Sequence, residues 1–299
     1  MRIFVTGGSG YIGSAIVDAF ARAGHHVEAL VRNSEKAAQV QARGATPVLG
    51  DLRKPATYAD AAAAADGVIH AAAESGARAE AGDATALTAL LAPVDRPGRF
   101  VIYTSGVWVL GASPTPADER TPLHPADTVA WRPGHEQQVL DAGTAGLRAI
   151  VVRPGIVYGG ARGIVGDLLK DAANGLIRVI GGGDNHWPLV YERDLCDLYL
   201  RLASSGDASG IYHANDEGDE RVNDLVAAIA EHAPIKPSVR HVPIAEARQK
   251  MGAYADALVL DQIVRSPRAR SLGWSPSLHS VSGNVPRLFE EWRRGKEAA

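Results

Sequence analysis

The sequence predicts an α/β fold, a doubly wound parallel sheet followed by a smaller C-terminal lobe, on three observations. Short β-branched runs alternate with stretches of helical length through the first half of the chain. A glycine-rich string follows the first run directly and opens the first helical pattern. After Gly159 the texture changes to glycine-rich loops and a tail punctuated by Pro234, Pro237, Pro243 and Pro267.

Strands are expected at Arg2–Thr6, His26–Val31, Thr46–Leu49, Gly67–His70, Phe100–Thr104 and Ala149–Arg153. Each is flanked by Gly, Pro or charge, and the unbroken apolar runs suit a sheet buried on both faces. Helices are expected at Tyr11–Ala23, Ser34–Ala42, Ala56–Ala65, Ala81–Leu91 and His135–Ala142, with Gly24, Gly44 and Gly143 where C-terminal caps belong. Beyond Gly159, helices are expected only at Asp194–Ala203 and Val222–His232.

The 299 residues, 46% hydrophobic and 22% charged, have the balance of a globular protein and exclude disorder as the main state. Lys and Arg number 31 against 34 Asp and Glu, a net charge of -3, so no basic field attracts nucleic acid or an anionic membrane. Cys196 is the only cysteine, which excludes an internal disulfide and a thiolate metal cluster and fits a reducing compartment. Met1–Gly7 carries no targeting pattern, and no run of about 18 apolar residues occurs, so a cytoplasmic location with no membrane span is expected.

Gly8-Ser9-Gly10-Tyr11-Ile12-Gly13 is a G-x-G-x-x-G string between a strand and a helix, the setting that makes it a dinucleotide fingerprint. The glycines permit a tight turn, close approach of backbone to a pyrophosphate and close packing of helix on strand, and the helix N-terminus faces the phosphates. The fold is therefore Rossmann-like. About 20 residues on, where an acidic residue would hold the ribose hydroxyls of NAD, stands Arg32. A guanidinium there suits the 2′-phosphate of NADP, so NADP is expected and NAD less so. Asp51 follows the third strand and either accepts from the adenine amino group or stabilises its own turn. Residues 1–159 are expected to bind the dinucleotide and 160–299 to form a substrate lobe, with 189–203 returning to the first domain.

The chain resembles the extended short-chain dehydrogenase/reductase family in its atypical, NAD(P)-dependent epimerase/dehydratase-like branch. The residues that carry the resemblance are Thr6–Gly13, Gly50-Asp51-Leu52, Val68–Ala73, Tyr103–Gly111, Arg153–Gly159 and Leu189–Leu195. It implies cofactor contacts at Gly7, Gly10, Tyr11, Ile12, Gly13, Arg32, Asp51, Leu52, Ala71 and Thr104, with Pro154 and Val157 beside the nicotinamide carboxamide. It also implies a small-molecule substrate, and a homodimer built on the Ala81–Leu91 and His135–Ala142 helices.

Family enzymes use a Tyr-x-x-x-Lys pair and a Ser or Thr to move a proton in concert with hydride. Aligned on Gly111, those positions fall here on Trp131, His135 and Gly106, and none matches. Indole exchanges no proton at neutral pH, and glycine has no side chain to polarise a carbonyl. Trp131-Arg132-Pro133-Gly134-His135 places Pro and Gly where the family helix is continuous, so the helix is expected to start near Pro133 with Trp131 just outside it, lining the pocket or touching substrate. His135 becomes the first acid/base candidate, because imidazole titrates near neutrality. Ser105 and Tyr158 are the alternative hydroxyls. His186 and Trp187, in the glycine-rich loop after Gly181, are candidate substrate contacts. No metal-binding pattern occurs.

The leading expectation is an NADP-dependent oxidoreductase acting on a small carbonyl or alcohol by hydride transfer with a non-standard proton donor. The alternative is a non-catalytic NADP-binding sensor or regulatory protein, which loss of the usual proton-handling residues supports. A sugar-nucleotide epimerase or dehydratase ranks third, since it needs the same tyrosine and a larger lobe.

Overall fold

β1 (Arg2–Thr6), α1 (Tyr11–Arg22), β2 (His26–Val31), α2 (Ser34–Gln41), β3 (Thr46–Leu49), α3 (Ala59–Ala64), β4 (Gly67–His70), α4 (Ala79–Leu90), β5 (Phe100–Thr104) and α5 (Arg132–Gly143) alternate in the predicted sense. The structure, a computed structural model, describes residues 1–74, 76–92, 98–143 and 147–297. Seven strands form the central sheet in the order Gly210–Ala214, Arg148–Pro154, β5, β4, β1, β2, β3. β1 runs parallel to both neighbours, with Phe4 opposite Glu28 on β2 and Val68 on β4. Ile3, Phe4 and Val5 are all fully buried, which is why β1 reads as an unbroken apolar run. Strand order reverses between β1 and β4, so their carboxyl ends are the switch point where ligands settle in such sheets.

The chain divides into two compact units, the first Met1–Ser105, Trp131–Arg153 and Cys196–Tyr212, the second Gly106–Ala130, Pro154–Leu195 and His213–Ala299. In the first unit α1 buries Gly13, Ile16, Val17 and Phe20, the stripe of a helix lying on a sheet. The helix expected over Ala56–Ala65 is instead a 3-10 turn, Pro55–Thr57, followed by α3. Tyr58 makes the break: its ring is buried and its hydroxyl donates to the Leu52 carbonyl at 2.9 Å, with φ at -144°, outside the helical region. α5 starts at Arg132, one residue before the expected Pro133, which keeps the proline in the first turn where its missing N–H costs nothing.

The second unit holds more regular structure than its loops suggested. A helix spans Gly163–Ala173, and another spans Val285–Glu297. The second buries Val285, Leu288, Phe289 and Trp292 at the spacing of one helical face. Between Pro237 and Pro243 the strand Ser238–Val242 pairs in parallel with Leu176–Ile180. Both helices pack into an apolar cluster that includes Tyr158, Trp187, Tyr191 and Leu225. The Tyr158 hydroxyl donates to Asp216 Oδ2 at 3.1 Å, and burial beside that carboxylate pushes the phenol far above its ordinary pKa. Burial likewise pushes Asp216 up to about 7, although its other oxygen accepts from the Gly218 amide at 3.0 Å. Among the described residues no helix is long and apolar enough to cross a membrane, and no group of three or more His, Cys, Asp or Glu could hold a metal ion.

Two stability predictions follow from this packing. A Cβ on Gly13 would lie 2.1 Å from the Gly7 carbonyl oxygen, whereas a Cβ on Gly134, within α5, meets nothing within 4 Å. Gly13→Ala should therefore cost about 2 kcal/mol or more, and Gly134→Ala should stabilise by up to about 1 kcal/mol. Urea unfolding of the two variants tests the contrast, and equal effects would refute it. Asp216 gives a pH dependence. Its pKa is raised in the folded state, so its contribution to stability is fully present below about pH 4 and is lost as pH rises through about 7. Asp216→Asn removes the titration and keeps the bond from the Gly218 amide, with the new NH2 donating to the Tyr158 oxygen instead of accepting from it, so its urea midpoint should gain on the parent's between pH 4 and 8. A gap that stays constant with pH would contradict the assignment.

Candidate active site

At the carboxyl end of β1 the backbone turns into α1 with no room to spare. Gly7 has φ +72°, and a Cβ there would lie 2.7 Å from the Ala71 carbonyl oxygen and from the Ala72 Cα. The Gly10 amide closes the turn on the Gly7 carbonyl at 2.7 Å. α1 then begins with Gly10 as its cap, no side chain bonded to its first amides and no acidic residue in its first turn, which carries Tyr11, Ile12 and Gly13. Such an end presents the positive pole of the helix, which fits a pyrophosphate.

Arg32 follows β2 and is exposed, with no hydrogen-bond or ion-pair partner among the described residues. Its neighbour Asn33 caps α2 through the Lys36 amide at 2.9 Å, which fixes the backbone just past Arg32. Asp51 is already engaged. Its carboxylate accepts from the Arg53 amide at 3.0 Å and from the Arg53 guanidinium at 3.0 and 3.2 Å, and these bonds hold it down to about 2. Of its two expected roles, the structure displays the turn. The Leu52 side chain lies in the core with Phe4, Leu30 and Tyr58, so only its backbone can reach a ligand.

A buried polar chain runs behind this turn. Thr6 Oγ1 lies 2.6 Å from His70 Nδ1, and His70 Nε2 lies 3.0 Å from Asp83 Oδ1. The other oxygen of Asp83 accepts from the Tyr103 hydroxyl at 2.8 Å and lies 2.8 Å from His135 Nδ1. Burial opposes the charge on Asp83, but the bonds from His70, His135 and Tyr103 outweigh it and keep the carboxyl below its ordinary range. Burial beside Asp83 pushes Tyr103 well up, so this phenol stays protonated. His135 is the one member with appreciable exposure, 13% of its side chain against none for His70 and 5% for Asp83. The Trp131 ring stands 4.8 Å from the imidazole, centroid to centroid.

The alternative hydroxyls are committed elsewhere. Ser105 Oγ donates to Glu136 Oε1 at 2.5 Å, and Glu136 also takes two prongs of the Arg153 guanidinium, at 2.5 and 3.0 Å. All three are buried, so the Ser105 hydroxyl helps satisfy an ion pair in the interior. Tyr158 is fully buried on Asp216, as described above, which removes it from the candidate proton donors. Thr104 Oγ1 bonds the Tyr199 hydroxyl at 2.7 Å, and its carbonyl accepts from Arg132 Nη1 at 3.1 Å.

Within the second unit, Pro154, Gly155 and Val157 are held by backbone bonds. The Gly155 amide donates to the Ala214 carbonyl at 2.9 Å and the Ile156 amide to that of Pro188 at 2.7 Å, while Val157 pairs with Val190. His186 is half-buried, with its amide and Nδ1 both on Asp261 Oδ1, at 2.8 and 2.7 Å, and Nε2 3.4 Å from Arg221 Nε. Trp187 is buried in the apolar cluster, and its Nε1 donates to the Leu258 carbonyl at 2.9 Å. An indole between a histidine and a proline in a glycine-rich loop reads as exposed, and the partner that buries it lies about seventy residues away.

The sequence reading missed Asp83, Glu136 and Arg132. A signal for Asp83 was present: it occupies the stripe of α4 that otherwise buries Gly82, Ala86, Leu87 and Leu90, a carboxylate at a core position. Arg132 reaches the carboxyl end of β5 while its guanidinium stacks 4.7 Å from the Trp131 centroid, a role that only the fold of the 131–135 segment discloses.

Known proteins share this sequence and fold. An uncharacterized protein of Schizosaccharomyces pombe is 33% identical over 94% of this chain and 96% of its own. The 4-hydroxy-2-methyl-3-oxo-4-farnesyl-3,4-dihydroquinoline-1-oxide ketoreductase of Stigmatella aurantiaca is 32% identical over 83% of this chain and 78% of its own. The crystal structure of dTDP-glucose 4,6-dehydratase from Bacillus anthracis in complex with NAD is similar in fold, with TM-score 0.82 at 16% identity over 99% of this chain and 98% of that one. A model of the NAD dependent epimerase/dehydratase family matches residues 3–214, and by that match and these relatives the chain belongs to the NAD dependent epimerase/dehydratase family.

Proposed function

We propose that the chain is an NADP-dependent oxidoreductase that interconverts a small carbonyl compound and its alcohol, with His135 as its proton-handling group. The observation that carries this reading is His135 itself. Among the candidate proton donors it alone combines partial exposure with a buried carboxylate partner, whereas Ser105 and Tyr158 are sequestered. The ketoreductase among its relatives supports the reaction class. The turn at Gly7, the uncapped start of α1 and the unpaired Arg32 fit a dinucleotide with a third phosphate.

When bound, the nicotinamide supplies or accepts the hydride. The chain must then do the rest: hold the pyrophosphate on the first amides of α1, hold the 2′-phosphate at Arg32, and deliver or remove one proton at the substrate oxygen. We assign the last task to the His135 imidazole, with Trp131 as the adjoining apolar wall. Ala71 and Thr104 are proposed to border the cofactor. A second reading, a non-catalytic NADP-binding sensor, draws on one observation: the hydroxyls of Ser105 and Tyr158 are spent on buried carboxylates, and Gly106 offers none.

NADPH binding by fluorescence, beside NADPH oxidation over a panel of aldehydes and ketones, separates the two. Turnover on at least one compound supports the enzyme, and binding without turnover on any supports the sensor. Arg32→Ala should weaken NADP about tenfold or more and leave NAD nearly unchanged, since only a charge-assisted phosphate contact is lost. Equal weakening of both cofactors, or a parental preference for NAD, would overturn the choice of NADP. His135→Ala should lower turnover by about a hundredfold or more while NADPH still binds. Parental turnover in that variant would remove His135 from the mechanism.

A further inference from the structure

Asp83 is bonded to three side chains at once, and the count of protons among them fixes the state of His135. An ionised carboxylate only accepts, so each partner must donate to it. The Tyr103 hydroxyl donates to Oδ2 at 2.8 Å, and His70 must carry its proton on Nε2, 3.0 Å from Oδ1. His70 Nδ1 is then an acceptor, filled by the Thr6 hydroxyl at 2.6 Å, and Thr6 Oγ1 in turn accepts from the Ala72 amide at 3.3 Å. Each donor on this side of the chain thus meets an acceptor. The remaining partner, His135 Nδ1 at 2.8 Å from Oδ2, must also carry a proton. Its Nε2 has no hydrogen-bond partner among the described residues.

We propose that Asp83 is the positioning residue of this site: it holds neutral His135 in the Nδ1–H form, so that Nε2 presents a lone pair to accept a proton and, once protonated, gives it up. The inference rests on the proton-handling role proposed for His135. A free histidine side chain favours the opposite, Nε2–H form, so the assignment demands a tautomer that an unconstrained ring would not take. The orientation of Asp83 is itself fixed by His70, which Thr6 anchors beside the Gly7 turn. The geometry at Nε2 is thereby tied through four side chains to the strand end that opens the dinucleotide turn.

Imidazole 15N NMR of the unliganded protein reads the tautomer directly, with the His135 resonances identified by their absence in His135→Gln. The expected result is neutral His135 protonated at Nδ1. Protonation at Nε2 in the parent would overturn the proposal, whatever the activity, and this measurement needs no variant of Asp83 to fold. In Asp83→Asn the amide keeps the size of the side chain but can donate, so His135 should shift toward Nε2–H and kcat should fall about a hundredfold or more with KM within a few fold. Asp83→Asn with the parental tautomer and kcat would equally overturn it. Turnover of His135→Gln is read separately: it decides the proton-handling role of His135, while the tautomer decides the role of Asp83.

Discussion

At the end of β1 the chain passes the segment after β4 so closely that Gly7 has no room for a side chain. A Cβ at Gly7 would fall 2.7 Å from Ala71 and Ala72, and one at Gly13 would fall 2.1 Å from Gly7. This contact sets the start of α1 on the sheet and brings Thr6 level with His70, its register partner on β4. The N-terminal end of the helix and the buried polar chain thus come from one steric condition. Removing it would displace both.

The polar chain is costly to build and has a consequence for specificity. A carboxylate at 4% exposure survives only because both oxygens are filled, and the same holds for Glu136 between Ser105 and Arg153. The two clusters lie on successive positions of α5, with His135 turned to Asp83 and Glu136 turned to Arg153. α5 is therefore locked in rotation about its axis by two buried carboxylates, one on α4 and one its own. That rotation places His135 at the edge of the interior, and a helix free to slip by one residue would present a different side chain there.

Much of the first unit was legible because its determinants are local. The strands are β-branched runs buried on both faces, and the glycines of the 7–13 turn announce a contact that no other residue permits. Tyr58 was misread because the break in the Ala56–Ala65 pattern depends on a hydroxyl bonding the Leu52 carbonyl, a tertiary event. In the second unit the glycine-rich texture after Gly159 suggested loops, yet a Cβ on Gly166 would sit 3.0 Å from the Ala161 backbone, so that glycine serves close packing of a helix. The helix Val285–Glu297 was missed, although its four buried residues fall at the spacing of one helical face. At the site, the resemblance set Trp131, His135 and Gly106 at the positions where family members carry the proton-handling residues. The partner that completes His135 lies 52 residues earlier on α4, and no spacing rule joins them.

A crystal structure of the complex with NADP+ decides whether the first unit holds NADP with its reactive ring served by His135. The pyrophosphate is expected on the first turn of α1, the 2′-phosphate against the Arg32 guanidinium, and His135 Nε2 facing the space beside the nicotinamide. A 2′-phosphate bound away from Arg32, with the nicotinamide remote from His135, would overturn both roles.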